Sequence, residues 1–137
     1  MKVIMLRGKA GCGKTTTMHQ VFDDIFKKID KTDDVIIPKT FTDDGKDFWA
    51  TIRYNGKTIY FYSLGDLSGE ICEALETNLN KEYNIHVCCA QIRFKNPLNF
   101  IAKHSIELAC VDKISATDDD NLRASRELIE LINASTK

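Results

Sequence analysis

Short apolar runs alternate with helical stripes along this chain. Val3 to Leu6 is a continuous apolar run, and the glycines at 8, 11 and 13 that end it favour a strand over a buried helix. From Lys14 to about Ile29, Met18, Val21, Phe22, Ile25, Phe26 and Ile29 recur at helical spacing, until the polar stretch 30–34 breaks the pattern. Val35 to Ile37 is another short run, stopped by Pro38. The polar, turn-rich segment 38–47 that follows reads as a loop.

The clearest local signal is "FWATIRYNGKTIYFYS". Two β-rich runs flank Asn55-Gly56, the preferred pair for a two-residue type I′ hairpin turn. Such a turn sets Ile52 opposite Ile59 and Ala50 opposite Phe61, and leaves Trp49, Thr51, Tyr60 and Tyr62 on the other face. The second strand is apolar or aromatic on both faces, so it belongs inside a covered sheet. The first is more mixed and suits an edge.

Ile71, Ala74, Leu75, Asn78 and Leu79 predict the next helix, and "NIHVCCAQI" another buried strand. Asn96-Pro97 has the form of an N-cap followed by proline, opening a short helix near Leu98 to Lys103. "IELACV" is a further strand. Thr117 caps a final helix with Asp118, Asp119 and Asp120 at its positive end and an inner stripe of Leu122, Ser125, Leu128, Ile129 and Ile132. The element order is β-α-(β)-β-β-α-β-α-β-α. It predicts an α/β fold with three layers and a mostly parallel sheet carrying one antiparallel edge hairpin strand.

Composition narrows the setting. The 137 residues suit one domain, 1–137. The formal net charge is −1, so no global field draws the chain to nucleic acid or to an anionic membrane, and neither partner is expected. A protein partner stays open. The five cysteines form no C-x-x-C pair and are odd in number, against a zinc site or a disulfide framework. With no signal-peptide pattern and no long apolar run, a cytoplasmic protein is expected. Cys88 and Cys89, adjacent in a buried strand, read as small apolar packing residues.

The turn after the first strand carries the chemistry. "GKAGCGKT", Gly8 to Thr15, fits G-x-x-x-x-G-K-[ST] at every fixed position, with a strand before it and a helix after. Glycines let backbone N–H groups approach phosphates closely, and the helix start adds unpaired N–H groups and positive potential. On these residues the chain resembles the P-loop NTPase superfamily. The resemblance implies a nucleoside triphosphate held by Gly8, Gly11, Cys12, Gly13, Lys14, Thr15 and Thr16. It assigns Lys14 to the β- and γ-phosphates and the Thr15 hydroxyl to Mg²⁺, with Cys12 at a position the motif leaves free. An acidic residue at the tip of a neighbouring strand is the second requirement, and Asp66 at the end of "TIYFYSLGD" fills it as metal residue.

Asp66 to Gly69 also fits D-x-x-G, which together with the hairpin resembles Ras-like GTPases over roughly residues 1–80. By that resemblance Glu70 stands where a water-positioning glutamine often follows, and Thr40 or Thr42 is the candidate switch threonine. The guanine-reading N-K-x-D is missing, and Asp112 to Ser115 is its nearest match. ATP is therefore expected ahead of GTP. Arg93, at a strand tip, is the candidate for neutralising transferred charge. Three readings follow: a Mg²⁺-dependent NTP hydrolase using Lys14, Asp66, Glu70 and Arg93, a small-molecule or nucleotide kinase, and a GTPase-like switch or regulatory module with little turnover.

Overall fold

A computed structural model describes residues 1–137. The elements are β1 (Lys2–Gly8), α1 (Lys14–Phe26), β2 (Val35–Phe41), β3 (Phe48–Tyr54), β4 (Lys57–Tyr62), α2 (Ser68–Asn80), β5 (Ile85–Gln91), α3 (Asn96–Lys103), β6 (Glu107–Asp112) and α4 (Asp118–Ser135). The strands form one sheet in the order β2-β3-β4-β5-β1-β6. β4, β5, β1 and β6 are mutually parallel, and β3 runs against both of its neighbours. The fold class is the expected one.

Helices cover both faces. α1 and α4 bury Met18, Val21, Phe22, Leu128 and Ile132 against Ile4, Leu6, Phe61, Val87 and Cys89. On the other side α2 and α3 bury Ile71, Leu75 and Ile101 against Val3, Met5, Cys88 and Ala90. Alternate residues of β1 and β5 thus serve two separate cores, as period-two strands must. Every residue of β5 is buried, the pattern of a central parallel strand.

The hairpin register is as predicted: Ile52 pairs with Ile59 and Ala50 with Phe61. Asn55 and Gly56 have φ of 51° and 79°, the two left-handed positions of a type I′ turn. Two expectations need correction here. β3 is not the edge, because β2 pairs along its outer side. β2 also does not stop at Pro38 but runs through it to Phe41. Proline is tolerated because β2 is itself the edge strand, and register shifts bracket the site between Val35 and Thr40.

Helix termini differ in detail. Thr117 caps α4, accepting from the Asp120 N–H at 3.3 Å. Asn96 is not a cap. It lies inside α3, with Lys95 at the cap position and Pro97 in the first turn. The inner stripe of α4 is also turned from the expected one: Leu122 is exposed, and Asn121 is buried in its stead. Asn121 lies beside Gly13 of the turn after β1 and accepts from Thr17 in α1 and from Lys113.

Candidate functional site

The chain leaves β1 at Gly8 and reaches α1 through a glycine-rich loop. Gly11 and Gly13 have φ of 75° and 88°, backbone that strains any L side chain. A Cβ on Gly13 would also stand 2.6 Å from Asn121 Oδ1 and 3.3 Å from Ala116 Cα. Gly13 caps α1 without a side-chain bond. The helical ladder starts with the Thr17 N–H donating to Gly13 O, so the N–H groups of Lys14, Thr15 and Thr16 have no protein acceptor. These residues line a cavity of about 340 Å³, with Ser63, Gly65, Asp66 and Ala116 on its other walls.

Lys14 is buried, and its ammonium donates to the Gly8 and Lys9 carbonyls at 3.2 and 3.0 Å. Cys12 is buried beside it, with Sγ 3.9 Å from Nζ and packed over Gly8. The loop is therefore pre-shaped with its cation folded onto its own carbonyls. A polyphosphate offers stronger acceptors than those carbonyls.

A brace holds the loop from the other side. Lys113, at the end of β6, has a fully buried side chain and pairs with Asp120 Oδ2 at 2.7 Å. It also donates to Asn121 Oδ1, which in turn accepts from Thr17 Oγ1 at 3.3 Å. Asp120 further accepts from Arg123 and from the N–H groups of Ile114 and Ser115. Its carboxyl is held well below the usual carboxylate range, first by Lys113 and then, against a smaller opposing effect of burial, by Arg123 and the two N–H groups. Lys113, the lysine of the nearest match to N-K-x-D, is thus committed inside the fold.

The strand order changes the expected acidic wall. The strands beside β1 are β5 and β6, and β4 lies beyond β5, about 10 Å from β1 at ordinary strand spacing. Asp66 still lines the cavity, but it is exposed and accepts from Gln91 Nε2 at 3.1 Å. Gln91, the last residue of β5, accepts from Arg93 Nε at 2.7 Å. Arg93, Gln91 and Asp66 therefore form one chain across the strand tips.

Asp47 was not singled out by the sequence, and it is the carboxylate bonded to Thr15. Its Oδ1 accepts from Thr15 Oγ1 at 2.9 Å and from Ser63 Oγ at 2.9 Å. A usable signal existed: extending the hairpin register by two pairs beyond Trp49 and Tyr62 sets Asp47 beside the end of β4. Thr15, Asp47 and Asp66 are hard oxygen donors of the kind Mg²⁺ takes. No group of three or more His, Cys, Asp or Glu side chains surrounds one point.

Glu70 and the threonines of the 38–47 segment lie apart from this cavity. Glu70 lines a different groove of about 570 Å³ with Trp49 and Tyr62. The Tyr62 hydroxyl is pushed up to about 12 by burial and then by Glu70. Thr40 donates to Pro38 O, and Thr42 to Asp44. This groove is the larger one, but its charged walls include Asp43, Glu70 and Glu73. Carboxylates repel phosphate, and Lys81 is the one cationic side chain on these walls.

A protein-family model described as RNA helicase matches residues 4–111, from β1 into β6. No curated protein and no solved structure matches the chain. The family's description names RNA, a partner class that the charge argument did not anticipate. No helix is long and apolar enough to cross a membrane.

Proposed function

The chain belongs to the RNA helicase family, a family of P-loop NTPase type, and on that premise we propose that residues 1–137 act as one domain that binds Mg²⁺-ATP and hydrolyses it. One observation carries the reading. Three consecutive N–H groups without acceptors, at Lys14, Thr15 and Thr16, border a cavity beside a buried lysine, in a loop that satisfies the Walker A pattern at every fixed position. The β- and γ-phosphates take these donors and draw Lys14 from the loop carbonyls. Mg²⁺, when bound, offsets charge on the β- and γ-oxygens. Thr15 and the flanking carboxylates, Asp66 and Asp47, are the residues that would hold it.

ATP is placed ahead of GTP because the guanine-reading pattern is absent and Lys113 is buried in its own ion pair. Water is the default acceptor. Arg93 and Gln91 stand near the strand tips to meet charge that develops on transfer, and Glu70 is the sequence-derived candidate for orienting water. Transfer to a small-molecule acceptor, as in a kinase, and a slow nucleotide switch are the competing outcomes of the same site.

Purified protein is expected to release phosphate from ATP only with Mg²⁺, and Lys14→Ala to lower ATP affinity at least tenfold. No ATP binding by the wild type in calorimetry refutes the reading. ADP formation that appears only with an added small-molecule acceptor, without free phosphate, favours the kinase. The family's description supports RNA as the coupled partner, and a rise in hydrolysis with single-stranded RNA tests that second reading.

A further inference from the structure

We propose that Asp47, rather than Asp66, is the principal carboxylate of the divalent-cation site beside Thr15. The inference rests on the nucleotide reading above and assigns its metal side to a residue outside the Walker motifs.

Position is the first argument. Asp47 Oδ1 is 2.9 Å from Thr15 Oγ1. Neighbouring oxygens of an octahedral Mg²⁺ shell, with Mg–O near 2.1 Å, lie about 3 Å apart. The Asp47 carboxylate thus stands beside the Thr15 hydroxyl, within reach of one shared shell. Chemistry is the second argument. Oδ1 accepts from Thr15 and Ser63, while Oδ2 makes no hydrogen bond to the protein. The Thr15 hydroxyl donates its proton toward Asp47, which leaves the oxygen lone pairs of Thr15 for a cation. Oδ2 is then free to take the cation or a water bound to it.

Preorganisation is the third argument. Ser63 Oγ accepts from the Phe48 N–H at 2.8 Å while donating to Asp47, so the carboxylate is anchored to paired strands. The preceding turn is closed by bonds between Thr42 and Asp47: the Thr42 N–H donates to Asp47 O at 2.9 Å, and the Asp47 N–H to Thr42 Oγ1 at 3.2 Å. From α1, His19 Nε2 lies 2.9 Å from Lys46 O, and its ring packs 4.5 Å from that of Phe48. Asp66 has none of this support. It is exposed on the stretch between β4 and α2, and its recorded bond is to Gln91. Its partner Gln91 lines, with Arg93, Lys9 and Ala10, a separate hollow of about 220 Å³.

The test is calorimetric ATP binding, with Mg²⁺ and with EDTA, to wild type, Asp47→Asn and Asp66→Asn. Asp47→Asn is expected to lose at least tenfold of the Mg²⁺-dependent gain in affinity while metal-free ATP affinity changes less than threefold. Asp66→Asn is expected to lose less of that gain. Wild-type Mg²⁺-dependent binding that Asp47→Asn retains overturns the assignment alone. Absence of ATP binding by the wild type overturns the nucleotide reading, and the assignment with it. A second measurement needs no variant. Fe²⁺ replaces Mg²⁺ in the wild-type ATP complex, with ascorbate and peroxide, and backbone cuts are mapped by mass spectrometry. Cuts beside Asp47 and Thr15 support the assignment, and cuts beside Asp66 without any at Asp47 overturn it.

Discussion

Replacing Asp120 by Asn tests the brace behind the glycine loop. The change is nearly isosteric, but it removes the negative charge facing Lys113, whose side chain is fully buried with Nζ 2.7 Å from Asp120 Oδ2. Orphaning one member of a buried pair costs about 3–5 kcal/mol. Two features set the value at the lower end. The amide oxygen of Asn can still accept from Lys113 if its NH₂ turns toward the more exposed Arg123, and Asn121 Oδ1 remains a partner of Lys113. The expected loss is therefore about 3 kcal/mol, which for a chain of this length lowers the melting temperature by about 10 °C. Urea unfolding at pH 7 measures it, and a loss below about 1 kcal/mol refutes the argument.

The pH dependence gives an independent reading of the same brace. The carboxyl of Asp120 is depressed in the fold, so its stabilisation is complete above the unfolded value near pH 4 and is lost as pH falls through the folded value. The stability gap between wild type and Asp120→Asn should stay constant from pH 8 to pH 5 and close below about pH 4. Adding Lys113→Met to the variant should recover part of the loss, because no buried charge is then left unpaired. Recovery of none would mean that Lys113 is not the group Asp120 serves.

The remaining predictions concern the nucleotide reading. Arg93→Ala is expected to lower kcat about tenfold with little change in nucleotide affinity, the signature of an interaction made in the transition state. Glu70→Ala should do the same only if that side chain leaves Tyr62 to orient water, and wild-type steady-state rates in both variants would remove the water-positioning account. Competition titration should show less than a hundredfold preference for GTP over ATP, and a larger one, about 2.7 kcal/mol, would mean that the 112–117 segment reads guanine. Gly13→Ala should abolish measurable ATP binding, since φ of 88° and Asn121 Oδ1 leave no place for a Cβ, and binding within threefold of wild type would refute the loop geometry.

Local signals were enough for most elements and for the glycine turn between β1 and α1. Periodicity placed α1, α2 and α4, the Asn96-Pro97 pair pointed to α3, and the Asn55-Gly56 pair determined the β3–β4 register, because a two-residue turn permits one pairing. The glycine motif is contiguous, so its donors were legible from eight neighbouring residues. What the sequence left open depends on which strands lie side by side. That β5 separates β1 from β4 follows from how the helices cover both faces, and no local run of residues encodes it. Pro38 looked like a stop because its missing N–H matters only on a paired side, and only the sheet shows that β2 is an edge. Leu122 looked like core, yet Asn121 is inside because Lys113 and Thr17 supply it with polar partners from distant elements. Asp47 is the sharpest case. It is one of three aspartates in a polar turn, and only the hairpin register, extended past Trp49, sets it apart from Asp43 and Asp44. It reaches Thr15, thirty-two positions away, only because an antiparallel strand starts at the edge where the parallel strands end.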